Sequence, residues 1–155
     1  MRFLVAVCLV ALAGPARAQE HPFDRFIGSY ELVESTLPAL GAEIVFESVA
    51  AGLGIHSVWR HGSGDSFYEA HALLGYDPAS KQVEVLEVNS EGVVGSNVGS
   101  FDDTGALTML RFADDGITVL ERRVFTWRDS NTLAMSLEFM GSEGTTRHSI
   151  TIRRR

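Results

Sequence analysis

Glu121 and Arg123 stand two residues apart in the stretch Ile117–Trp127, where an extended chain puts them on one face with Ile117, Val119, Phe125 and Trp127. A carboxylate and a guanidinium in that arrangement can pair with each other. Alternatively, the guanidinium can hold an acidic head group while the neighbouring aromatic rings hold an apolar tail. Arg111 is a second candidate for the same role. His148 shares a face with Thr146, Ile150 and Ile152, so it is expected to point inward. Its plainest role is that of a hydrogen-bonded core histidine, and its functional one is a polar contact for a guest. Glu121 and His148 are also the two groups that could serve as a general acid or base if the protein is an enzyme.

Other reactive side chains are less promising. His71 falls on the charged side of its segment, with Glu69, and reads as solvated. His56 and His61 lie on opposite faces of one segment, and no histidine pair has metal-binding spacing with a carboxylate, so neither metal nor cofactor is expected. Asp102-Asp103 and Asp114-Asp115 sit in turn-forming runs, where backbone bonding explains them, although a calcium site at such a turn is a further option. Neither a G-x-S-x-G elbow nor a phosphate-binding glycine loop occurs.

The elements that must position these groups are strands. Phe67–Asn89 reads as two alternating segments joined by the turn Asp77-Pro78-Ala79-Ser80. The same grammar runs along the rest of the chain. Strands are expected from Phe26 towards Leu37, then at Glu43–Val49, Ile55–His61, Val93–Phe101, Ala106–Ala113, Ile117–Trp127, Thr132–Met140 and Thr145–Arg154. No stretch sustains a 3.6-residue period, so no substantial helix is expected in the folded domain. Short loops make each strand antiparallel to the one before it, and closing the meander removes two exposed edges. The predicted fold is therefore all-β, an antiparallel up-and-down barrel of about ten strands, wide enough to hold one small ligand. A two-sheet sandwich is the alternative.

Within that fold the apolar sides of four strands should curl round one interior. On the fourth strand Tyr68, Ala70, Ala72, Leu74 and Tyr76 are the inward side, and on the ninth Leu133, Met135, Leu137 and Phe139. The predicted ligand-binding set is Tyr68, Leu74, Phe125, Trp127, Leu137 and His148, with Arg123 near the rim. Tyr68, Trp127 and His148 each combine an apolar body with a polar atom, which suits a mostly apolar guest.

The amino terminus has a different character. Met1-Arg2 is a positive start, Phe3–Leu12 is apolar, and Ala16-Arg17-Ala18 follows the Gly14-Pro15 break. This is the pattern of a secretory signal peptide at residues 1–18, leaving 19–155 as a single domain. The apolar run falls short of the roughly 20 residues that span a bilayer, so no stable membrane insertion is expected after cleavage. Cys8, the single cysteine, lies in the discarded segment, so export without disulfides points to a bacterial periplasm or the medium. With 13 Lys and Arg against 20 Asp and Glu, the net charge of −7 argues against nucleic acid as a partner.

Gly28-Ser29-Tyr30 resembles the G-x-W opening of lipocalins and other calycins, with Tyr in place of Trp. Gly75-Tyr76-Asp77-Pro78, Ser90-Glu91-Gly92 before a glycine-containing strand, and a last strand ending in Arg-Arg are similar to bacterial lipocalin-like domains of unknown function. The resemblance implies a barrel with an internal cavity that binds a small apolar molecule, and no common reaction. The W-x-G opening of the haem-binding ten-stranded relatives is absent. Three functions follow from the sequence: an exported carrier of a small apolar or amphipathic molecule, acidic ones included; an isomerase or hydrolase using His148 or Glu121; and a structural module with a filled barrel.

Overall fold

The computed structural model describes residues 21–37, 42–62 and 67–155. The expected signal segment and Cys8 lie outside these residues, as does most of the connection after Leu37. Ten strands follow one another: β1 Gly28–Ser35, β2 Glu43–Val49, β3 Gly54–His61, β4 Tyr68–Asp77 and β5 Gln82–Asn89 make the first half. β6 Val94–Phe101, β7 Leu107–Phe112, β8 Val119–Trp127, β9 Thr132–Gly141 and β10 Gly144–Arg154 make the second. Each strand pairs antiparallel with its neighbours in sequence, and β10 pairs with β1, so the sheet closes into an up-and-down barrel. A single 3-10 turn at Ala50–Gly52 is the one helical element among the described residues.

Aspartates set the turns. Asp77, Asp102, Asp115 and Asp129 each accept backbone N–H bonds from residues two to four positions on. One such turn moves an expected boundary. The Asp115 carboxylate accepts the N–H groups of Ile117 and Thr118, both at 2.8 Å, and holds them out of the ladder. Ile117 is therefore 81 % exposed instead of facing inward, and β8 begins at Val119. At the amino end, the Phe26 N–H donates to the Phe23 carbonyl at 2.8 Å, which keeps Phe26 in a turn, and β1 begins only at Gly28.

That turn closes one end of the barrel. Phe23 and Phe26 are buried and meet the rings of Phe46, Phe101, Phe125 and Trp127 at centroid distances of 5.5–6.3 Å. Burying each ring contributes about 2–3 kcal/mol. Tyr30 is fully buried beside them; its hydroxyl donates to the Phe26 carbonyl at 2.9 Å and accepts from Arg154 Nη2 at 2.9 Å. Burial pushes the Tyr30 phenol above its ordinary value, an effect the Arg154 hydrogen bond partly opposes. Arg154 Nη2 also donates to the Arg25 carbonyl, so the last strand ties the closing turn to the first strand.

Two glycines let strands approach closely. A Cβ on Gly99 would lie 2.4 Å from the Thr108 carbonyl oxygen, and one on Gly54 would lie 2.6 Å from that of Leu74. The sequence marks Gly99 for a bend or close approach, and the β6–β7 contact is that approach.

Candidate functional site

The opposite end of the barrel holds the cavity. Inward alternation on β3 presents Ser57, Trp59 and His61, and the paired β4 presents Ala70, Ala72 and Leu74 with Tyr68 at its start. β5 adds Val85, Glu87 and Asn89; β7 adds Met109 and Arg111; β8 adds Glu121, Arg123 and Phe125. β9 adds Met135, Leu137 and Phe139, Phe46 and Ile150 contribute from β2 and β10, and Leu37, His71 and Val93 also border the space. The enclosed volume is about 360 Å³, room for roughly a dozen waters at bulk density. Among the described residues the interior is therefore not filled by side chains.

The wall is graded along the barrel axis. Phe46, Leu74, Val85, Met109, Phe125, Met135 and Ile150 lie towards the closed end and form an apolar floor. His61, Tyr68, Asn89 and Phe139 lie where their strands reach the other end, with the His61 and Tyr68 rings 4.8 Å apart and 23° from parallel. Between them runs a charged strip. Arg123 donates through Nε to Glu121 and through Nη1 to Glu87 Oε2 at 2.7 Å. The second Glu121 oxygen lies 3.0 Å from Arg111 Nη2. The order is Glu87, Arg123, Glu121, Arg111, an alternating chain in which Glu121 is 1 % exposed. Burial alone would lower the Arg123 value, but the Glu87 and Glu121 carboxylates outweigh it and hold the guanidinium protonated.

The chain is neutral overall, and its two ends differ from its middle. Both Glu121 oxygens and two donors of Arg123 are engaged within it. Arg111 Nε is buried with no hydrogen-bond partner among the described residues. A Cβ on Gly95 would lie 3.6 Å from Arg111 Nη1, so this glycine leaves space beside the guanidinium.

Of the residues expected to bind a guest, Tyr68, Leu74, Arg123, Phe125 and Leu137 line the cavity. Trp127 and His148 are not part of its wall. Trp127 shares the inward side of β8, but it packs against Phe26 at 5.5 Å with Arg25 over its ring at 4.7 Å, behind the closing turn. His148 pairs in register with Leu137, yet its ring meets Phe139 at a centroid distance of 6.0 Å in the first half of β10, outside the lining. Sequence reasoning missed Trp59, His61 and Glu87 as cavity residues, and left Phe139, which alternation places inward, out of the binding set; inward parity beside Ile55 is the signal that finds Trp59 and His61.

The outer wall corrects the expectation for the histidines. His71 does face outward, but it is not simply solvated: its Nδ1 lies 3.0 Å from His56 Nε2 across the β3–β4 pair, and its Nε2 donates to Glu69 at 2.8 Å. Single-strand spacing could not reveal this pair, because the two rings come from different strands.

A closed ten-stranded antiparallel barrel with an interior cavity defines the class of protein. No protein-family model matches the chain, and no curated protein matches it.

Proposed function

We propose that the protein is a lipocalin-like binding protein or carrier that holds one small amphipathic molecule in the barrel. The observation that supports this is the graded cavity of about 360 Å³, with an apolar floor, a charged strip and a mouth of mixed aromatic, aliphatic and polar side chains. The guest lies with its apolar end on Phe46, Leu74, Phe125 and Met135, and its polar head at the strip. An acidic head meets Arg111 in preference to Arg123, because Arg123 is already bonded to two carboxylates and Arg111 keeps an unpartnered buried donor. The two groups that the sequence offers for catalysis are not poised for it: both oxygens of Glu121 face guanidinium groups, and His148 stands outside the wall. The signal-like residues 1–18 support export, which makes the periplasm or medium the place of action.

An apolar fluorophore carrying a carboxylate tests this reading against its uncharged amide. The wild type should bind the acid more tightly. Arg111→Met should remove about tenfold of affinity for the acid and leave the amide within twofold, about 1.4 kcal/mol of selectivity. Equal loss for both probes would move the head group elsewhere, and no binding of either would leave the carrier reading without support.

A further inference from the structure

On the outer face of β2, β3 and β4 four side chains form a row: Glu47, His56, His71 and Glu69. His56 Nε2 and His71 Nδ1 face each other at 3.0 Å. The ring planes differ by 14° and the ring centroids lie 5.3 Å apart, so the rings meet edge to edge in nearly one plane. The nitrogens turned away from this contact each face a carboxylate: His71 Nε2 stands 2.8 Å from Glu69 Oε1, and His56 Nδ1 stands 3.9 Å from Glu47 Oε2. Glu69 is itself fixed by Arg60 Nε at 2.5 Å, and the Glu69 backbone N–H donates to Ser90 Oγ. The Glu69 carboxylate, held by Arg60, accepts the proton on His71 Nε2 at 2.8 Å. That tautomer leaves a lone pair on His71 Nδ1, directed at His56.

We infer that His56 and His71 form a cross-strand binding site for a transition-metal ion, with Glu69 and Glu47 as the outer carboxylates that orient the two imidazoles. In metal centres a ligating histidine donates its other N–H to a carboxylate or carbonyl; here His71 already does so to Glu69 at 2.8 Å, and Glu47 stands 3.9 Å from the outer nitrogen of His56. Ions at about 2.0–2.1 Å from two nitrogens separated by 3.0 Å subtend roughly 90°, the cis angle of a tetragonal centre. Imidazole ligands at that angle suit Cu²⁺ or Ni²⁺ better than tetrahedral Zn²⁺. Each ring must swing within its plane so that the lone pairs converge, and both side chains lie on the solvent side, 29 % and 38 % exposed. The His56 proton moves from Nε2 to Nδ1, towards Glu47, so both ligands bind as neutral imidazoles. Among the described residues no cluster of three or more His, Cys, Asp or Glu surrounds one point, so water completes the coordination shell.

Titration of the full chain with Cu²⁺, followed by calorimetry and electron paramagnetic resonance, tests the site. The wild type should take up one equivalent more than the His56→Gln/His71→Gln double variant, and that equivalent should show two imidazole nitrogens. Either single variant should weaken it at least tenfold. Glu69→Gln should weaken it by about tenfold while preserving the stoichiometry, as outer-shell partners do. Equal stoichiometry in the wild type and the folded double variant, or a spectrum without imidazole nitrogen, would overturn the assignment and leave the pair as a hydrogen-bonded clamp between β3 and β4.

Discussion

Arg123 and Glu121 are as much structural as functional. Glu121 is almost fully buried, and among the described residues its charge is balanced by Arg123 and Arg111 alone. Removing one partner of a buried pair leaves the other uncompensated. Arg123→Met should therefore lower unfolding stability by about 3 kcal/mol in urea denaturation, a larger effect than any change in ligand affinity. A cycle with Glu121→Gln should give a coupling above about 1 kcal/mol, whereas additivity of the two single variants would show that the residues do not act together. The sequence placed both residues on one inward face from alternation alone. It could not show that Glu87, 36 positions away, would take the other side of Arg123. Partners of a charge come from register between strands, which a single segment does not encode.

At the scale of elements, the closing turn carries a disproportionate share of the packing. Phe26 touches Phe46, Phe125 and Trp127, which belong to β2 and β8 on different parts of the wall. Phe26→Ala should cost about 3–5 kcal/mol and expose Trp127, seen as a red shift of its emission. An unchanged spectrum and stability would show that the turn does not seal the end. The strands themselves were legible: Glu43–Val49 has the expected bounds, and most others differ by a residue or two. The turn at 22–26 was not, because Phe26 followed by Ile27 looks like the beginning of a strand. Face assignment also failed where both sides of a strand are apolar. On β5, Val83 and Val85 are buried while Leu86 and Val88 are 59 % and 45 % exposed, and no pattern in Q-V-E-V-L-E-V-N distinguishes them. This is why β5 was not read as a cavity wall and Glu87 was overlooked.

For the whole molecule, closure of the sheet explains the cavity, and the aspartates that hold its turns set an expected response to acid. Asp77, Asp102, Asp115 and Asp129 hold successive hairpin turns, and side-chain and backbone donors lower each carboxyl below its ordinary value. A depressed folded value means that the stabilisation is complete above the unfolded value near pH 4 and is lost as pH falls below it. Thermal midpoints should therefore be flat from neutral pH to about pH 5 and fall below pH 4, and Asp115→Asn should flatten part of that fall. A profile with no acid limb would show that these turns do not limit stability. The fold class was readable because short turns and alternation constrain topology strongly. The site was readable only in part, because its shape depends on how ten walls meet.

The central claim is that a guest occupies the barrel, and Ala72 offers the most direct test. It faces the cavity between Ser57 and Glu87 in the paired strands, at mid-height of the wall. Ala72→Trp should fill much of the space without altering the outer face. Titration of the carboxylate fluorophore into the wild type should show saturable binding at one equivalent, and the folded Ala72→Trp variant should show none. Equal binding by both proteins would place the probe outside the barrel and contradict the account.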